Sequence, residues 1–230
     1  MRIISVAALV AAGVLAGSIA AGPAAAQSAC ADLGGTVTPD GVCAVHATNP
    51  TYTLDMSFPN DYPDQQALTA YLTQTRDGFI NVSQMPGSWN LPYQLDAKGT
   101  GYHAGPPAGG TQSVVFEVYQ NVGGAHPQTF YQAFNWDNVK RTPITFDTLF
   151  KPGTKPLDVI YPEVNRYLQK VRGMIDPIPP KDGLDPAHYQ NFALTDDAMI
   201  FFFSQGEIFA EAAGAVQASV PRAMLASLLA

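Results

Sequence analysis

The stretch from Gln112 to Asp137, QSVVFEVYQNVGGAHPQTFYQAFNWD, constrains this chain more than any other. Val114, Phe116 and Val118 fall on one face of an extended segment, and Val115, Glu117 and Tyr119 on the other. In the second half Phe130, Phe134 and Trp136 share a face, opposed by Tyr131, Ala133 and Asn135. β-Branched and aromatic residues at period two predict two paired strands, each packed on at least one side. Between them lies Gly123-Gly124-Ala125-His126-Pro127. Glycines permit positive φ, and Pro127 keeps His126 out of the helical region. The expectation is a long β-hairpin with a stiff, shaped tip.

The N-terminus points to a compartment. Arg2 is followed by an uncharged apolar run from Ile3 to Ala21, and Ala24-Ala25-Ala26 supplies the small residues of a cleavage site. This is the pattern of a secretory signal peptide over residues 1–26. A run of this length also suits a membrane anchor, but its Ala and Gly content and its A-x-A ending favour cleavage. The mature chain is expected to be secreted, extracellular and soluble. Cys30 and Cys43 are then expected to pair in an oxidising compartment. Acylation of Cys30 is the competing reading; the polar residues before it and the stranding of Cys43 argue against that.

The whole chain carries 12 basic and 19 acidic residues, a net −7. Arg2 lies in the leader, so the mature chain keeps 11 basic residues against 19 acidic ones, a net −8. That argues against a phosphate-binding surface and against nucleic acid as a partner. It favours a cationic partner, or simply solubility.

Taken in order, Val42 to Phe58 reads as an extended segment, with Tyr52, Leu54, Met56 and Phe58 alternating against Thr53, Asp55 and Ser57. Asp64 caps a helix to about Ile80, whose stripe is Leu68, Tyr71, Leu72, Thr75 and Phe79. Short strands are expected at Tyr93–Leu95 and around Thr100–His103. Thr142–Phe146 reads as a strand and Asp147–Phe150 as a turn. Leu157–Arg172 is a second helix with Ile160, Val164, Tyr167, Leu168 and Val171 on its stripe and Gly173 as cap. Met199–Phe203 is apolar at every position, as in a strand covered on both faces. Val216, Ala218 and Val220 alternate in a last strand, and Pro221 opens a short helix with Met224, Leu225 and Leu228 on its apolar side. The class is α+β, a mixed sheet with helices packed across it. Two halves are expected, 27–112 with the disulfide and first helix, and 113–230 with the hairpin, second helix and buried strand.

Chemistry is sparse. His46, His103, His126 and His188 show no zinc spacing, and no metal or cofactor is implied. No G-x-S-x-G elbow or phosphate loop occurs. Glu117 belongs to a strand and pairs with a second carboxylate only if an Asp converges on it. His126 is the histidine in a constrained setting. A hydrogen bond from Asp137, Asp147 or a carbonyl is the expected role, with a catalytic base as the alternative. Trp89 sits in a Pro- and Gly-rich loop, either as an exposed anchor or folded beneath it.

The runs VYQNVGGAHPQTFYQAFNWD, PITFDTLF, GLDPAHYQNFALTDDAMIFFFSQGEI and VPRAML resemble the secreted immunogenic protein family of mycobacteria, a culture-filtrate antigen group. The resemblance covers essentially the whole chain, both cysteines included. From about Val114 the chain also resembles a wider domain class. That class is found in the exterior part of lysozyme-sensing anti-sigma factors and beside peptidoglycan deacetylase domains, through Gly123–Pro127 and the Asn135-x-Asp137 pattern. The resemblance implies a secreted, immunogenic, monomeric α+β protein with a β-grasp-like part and no established catalysis.

Three functions follow as expectations. The first is a non-catalytic binding module for a host or cell-envelope protein, with a cationic lysozyme-like protein as the candidate partner. Its candidate contact residues are Gly123, Gly124, His126, Tyr131 and Trp89. The second is an envelope hydrolase, which requires His126 and Glu117 to line one pocket. The third is peripheral membrane contact through Trp89 or Phe209.

Overall fold

A computed structural model describes residues 29–124, 126–174 and 176–230. The expected signal peptide lies outside the described residues.

Seven strands form one sheet in chain order: β1 (Thr36–Val37), β2 (Val42–Thr48), β3 (Tyr52–Pro59), β4 (Tyr93–Ala104), β5 (Thr111–Asn121), β6 (Gln128–Asp137) and β7 (Thr142–Pro143). Neighbours are antiparallel except β3 and β4, which are parallel. A parallel pair cannot be joined by a tight turn and needs a crossover. Helix α1 (Gln65–Ser83) supplies it. Asp64 caps α1 as expected, its Oδ1 accepting from the Ala67 amide at 3.0 Å. Leu68, Leu72 and Phe79 are buried against the sheet, and the Tyr71 ring lies 5.7 Å from both Phe116 and Phe134.

The hairpin is the one the alternation requires. Val118 stands opposite Phe130, Val115 opposite Ala133 and Ser113 opposite Asn135. Val114, Phe116 and Val118 join the core under α1, while Val115 turns to the opposite face. There a second sheet, β10-β9-β8, packs on it: β8 (Phe192–Leu194), β9 (Ala198–Phe203) and β10 (Val216–Pro221). Phe202 of β9 sits between the sheets, its ring 5.2 Å from Tyr131 and 6.0 Å from Tyr102. Met199, Phe201 and Phe203 face the other way, into a core shared with Ile160, Val164 and Leu168 of α2 (Leu157–Arg172). The order of layers is therefore α1, large sheet, small sheet, α2. β9 is the central, doubly covered strand that its unbroken apolar run predicts.

β6 would present a bare edge, because β7 covers only its last residues. Side chains from the second sheet close it. The amides of Thr129, Tyr131 and Ala133 donate to Gln205 Oε1, Ser204 Oγ and Asn191 Oδ1 at 3.0–3.1 Å. Asn135 Nδ2 donates to the Phe192 carbonyl at 2.9 Å. The edge is thus satisfied from within the chain instead of being left to pair with another.

Several expectations are corrected. Val42–Phe58 is a hairpin of two strands, turned at Asn49, whose Oδ1 accepts from the amides of Thr51 and Tyr52. β4 is one strand where two were expected. Gly99 lies in the gap between the two expected strands yet continues the one strand, and a β-carbon on it would stand 2.8 Å from Phe116 Cε1. The glycine makes room for the ring. Thr142–Phe146 is not a single strand. Thr145 caps a helical turn over Phe146–Leu149 through reciprocal bonds with Thr148. Val171 and Met224 are exposed, off the apolar stripes they were assigned to. The disulfide Cys30–Cys43 is formed and ties the segment before β1 to β2.

Candidate functional site

Two surfaces offer something to a ligand. The first is an apolar end. Trp89 is 62 % exposed, with Met85 and Leu91 exposed beside it in sequence. The loop is shaped by its backbone: Asn90 has φ 55°, and Leu91–Pro92 is cis. Gly123 of the hairpin tip is buried against it, where a β-carbon would meet the Trp89 carbonyl oxygen at 2.6 Å. Hairpin tip and tryptophan loop thus form one surface. Gly124 and His126 are exposed there. Among the described residues no hydrogen bond to the His126 ring is found, and Asp137 instead accepts from the amides of Val139 and Lys140 in the β6–β7 turn.

Tyr131 does not belong to the tip. It stands opposite Glu117, donating to Glu117 Oε2 at 3.3 Å, with its ring on Phe202. Register pairs Glu117 with Tyr131, three positions below the Gln120–Gln128 pair that closes the ladder, whereas His126 lies in the tip beyond that pair. Phe209 is half-buried against the core beside α2, so only Trp89 remains of the two expected membrane anchors.

The second surface is the open face of β2, β3 and β4, opposite α1. The pleat sends Cys43, Val45, Leu54 and Met56 inward and leaves His46, Thr48, Asp55 and Asp96 outward. Register places His46 opposite Asp55, and Asp55 opposite Asp96. His46 Nδ1 lies 2.7 Å from Asp55 Oδ1, and Thr48 Oγ1 lies 3.2 Å from His46 Nε2. A carboxylate only accepts, so Nδ1 carries the proton. In that tautomer Nε2 is an acceptor, placed to take a hydrogen bond from Thr48. A groove of about 510 Å³ is lined by His46 and Asp55 with Ser57, Asp96 and Lys98, and Thr48 stands outside that lining, on the far side of the His46 ring. Gln94 donates to Asp96 at 2.7 Å. Burial, then the Glu117 charge, raises the Tyr102 phenol above its ordinary value.

Sequence reading missed this trio because it searched for metal spacings and helical offsets. The available signal was polar alternation on two strands joined by an Asn-Pro turn. A second histidine–carboxylate pair, His188 Nδ1 with Glu207 Oε1 at 3.4 Å, is tied into a turn, since Glu207 Oε2 accepts from the Ser204 amide at 2.7 Å. No group of three or more metal-ligating side chains occurs among the described residues.

The chain is 44 % identical to immunogenic protein MPT64 of Mycobacterium tuberculosis over 96 % of its length and 97 % of that protein. It belongs to the MPT64/MPB64 immunogenic protein family. Another relative, esterase Rv3036c of M. tuberculosis, is 55 % identical over 88 % of this chain and 89 % of its own. The immunogenic protein family therefore includes relatives named for antigenicity and one named for ester hydrolysis. A family model described as a protein of unknown function, DUF3298, matches residues 147–223. A solved DUF3298 family protein from Pseudomonas aeruginosa superposes with a TM-score of 0.56 at 13 % identity, covering 82 % of this chain and 94 % of that one. That likeness carries the fold alone.

Proposed function

We propose that this antigen-like protein is an exported binding module that engages a host or cell-envelope protein through its apolar end. The observation that carries this is Trp89. A large aromatic side chain left mostly in water, on a loop braced by the buried Gly123, is ready to insert without first being ordered. The net negative charge supports a cationic partner, drawn in by long-range attraction that salt weakens. A lysozyme-like muramidase fits that chemistry, with the protein acting as a monomer. Calorimetry of the mature protein against lysozyme at low salt tests it. Heat that falls with added salt and is lost in Trp89→Ala supports the reading. No heat at high micromolar concentration removes lysozyme, and a Trp89→Ala protein that binds like wild type removes the apolar end.

Ester hydrolysis is a second reading, favoured by the Asp55–His46–Thr48 hydrogen-bond chain and by the esterase-named relative. The two readings use different surfaces. Release of p-nitrophenol from p-nitrophenyl butyrate by purified protein above the buffer rate is the expected sign.

A further inference from the structure

We infer that Thr48 is the nucleophile of an ester-hydrolysing site on the open sheet face, with His46 as general base and Asp55 as the group that orients it. This rests on the second reading above and assigns its residues. The argument is geometric. A hydroxyl is a poor nucleophile unless a base takes its proton, and the base must present the right nitrogen. Here Asp55 Oδ1 accepts from Nδ1 at 2.7 Å and leaves Nε2 as acceptor for Thr48 Oγ1 at 3.2 Å. The same three roles recur on unrelated folds, recognised by geometry and not by chain order. Strand register fixes the arrangement. His46 and Thr48 are two apart on one face of β2, and Asp55 is the cross-strand partner of His46.

The step balances with water as the only co-reactant. Thr48 Oγ1 bonds to the ester carbonyl carbon as its proton passes to His46 Nε2. The carbon–alkoxide bond breaks, and the alkoxide leaves with that proton as the alcohol. Water then attacks the threonyl ester, giving its proton to Nε2. The acid is released and the proton returns to Oγ1. Asp55 stays ionised throughout.

The surroundings set the substrate class. His46 and Asp55 side chains are 68 % and 60 % exposed, so water screens the pair and acceleration is modest. General-base help of this kind contributes roughly 10²–10⁴-fold. Asp55 and Asp96 outnumber Lys98 in the groove beside His46, and the net negative lining disfavours anionic substrates. The site therefore takes neutral esters.

The test uses the full mature chain with p-nitrophenyl butyrate, and a p-nitrophenyl phosphonate ester as covalent trap. Thr48→Ala and His46→Gln are expected to lower kcat/KM at least 100-fold with unchanged unfolding midpoints. Thr48→Ser is expected to restore activity, and Ser204→Ala to leave it intact. Peptide mapping is expected to place the phosphonyl adduct on Thr48. Undiminished activity in Thr48→Ala, or an adduct on another hydroxyl, overturns this site while leaving hydrolysis standing. No turnover by the wild-type chain overturns hydrolysis itself.

Discussion

Gly123 in the hairpin tip lies against Trp89 so closely that a β-carbon there would stand 2.6 Å from the Trp89 carbonyl oxygen and 2.8 Å from Tyr93 Cε1. Its φ of 73° is also one that other residues resist. Gly123→Ala is therefore expected to destabilise the protein by about 1–3 kcal/mol and to push the tryptophan loop away from the tip. Denaturant titration gives the first effect. A shift in the emission of Trp89, isolated in a Trp136→Phe background, gives the second. An unchanged midpoint and spectrum would mean that the two loops do not brace each other.

Gly99 has the same relation to the core. Its added β-carbon would meet Phe116 Cε1 at 2.8 Å and Phe58 Cβ at 3.0 Å. Gly99→Ala is expected to cost about 1–3 kcal/mol through overpacking. A smaller ring neighbour relieves it, so Gly99→Ala with Phe116→Leu should cost less than the sum of the two single changes. Additive values in that double-mutant cycle would contradict the contact.

Reducing the Cys30–Cys43 bond, which spans 13 residues, is expected to remove about 3 kcal/mol by the chain-entropy argument. The readout is the denaturant midpoint with and without dithiothreitol, with a Cys30→Ser, Cys43→Ser protein as reference. A midpoint indifferent to reduction would show that the segment before β1 is held by other contacts.

Alkaline pH should unfold the protein through its buried phenols. Burial, then the nearby Asp64 charge, raises the Tyr62 phenol, and burial, then Tyr161, raises Tyr189. Burial also raises Tyr71 and Tyr102. An unfolded tyrosine ionises near pH 10. Below that pH both states are neutral and stability is intact. As pH climbs from about 10 toward the folded values only the unfolded state gains from ionisation, so stability falls. Absorbance at 295 nm should show these tyrosines ionising together with the loss of circular dichroism. Free titration of all ten tyrosines in a still-folded protein would refute their burial.

Loss of the α1 cap is a smaller, cleaner test. Asp64→Ala removes the acceptor of the Ala67 amide and should cost about 1 kcal/mol, measured as a midpoint shift. Asp64→Ser should recover most of it.

Local chemistry made much of this fold legible. The β5–β6 hairpin shows both its faces in period two, and α2 begins at Leu157 and ends at Arg172 because Gly173, at φ 68°, stops it. Cys30 and Cys43 had only each other. What stayed hidden depends on distant partners. Gly99 looks like a strand break until Phe116 is placed over it. Thr145 looks extended until Thr148 answers its cap. His46 and Asp55 are nine residues apart, and only cross-strand register joins them. Tyr131 was grouped with the tip by proximity in sequence, whereas the sheet carries it four residues down the strand to Glu117 and Phe202.

The doubly covered strand β9 has a cost in handling. Met199–Phe203 offers five successive apolar side chains with no charge and no proline, the composition of a segment that stacks into cross-β fibres. It is harmless only while α2 and the large sheet stay shut over it. Preparations of this protein should therefore lose solubility first by parting of the C-terminal layers, with this pentapeptide as the seed.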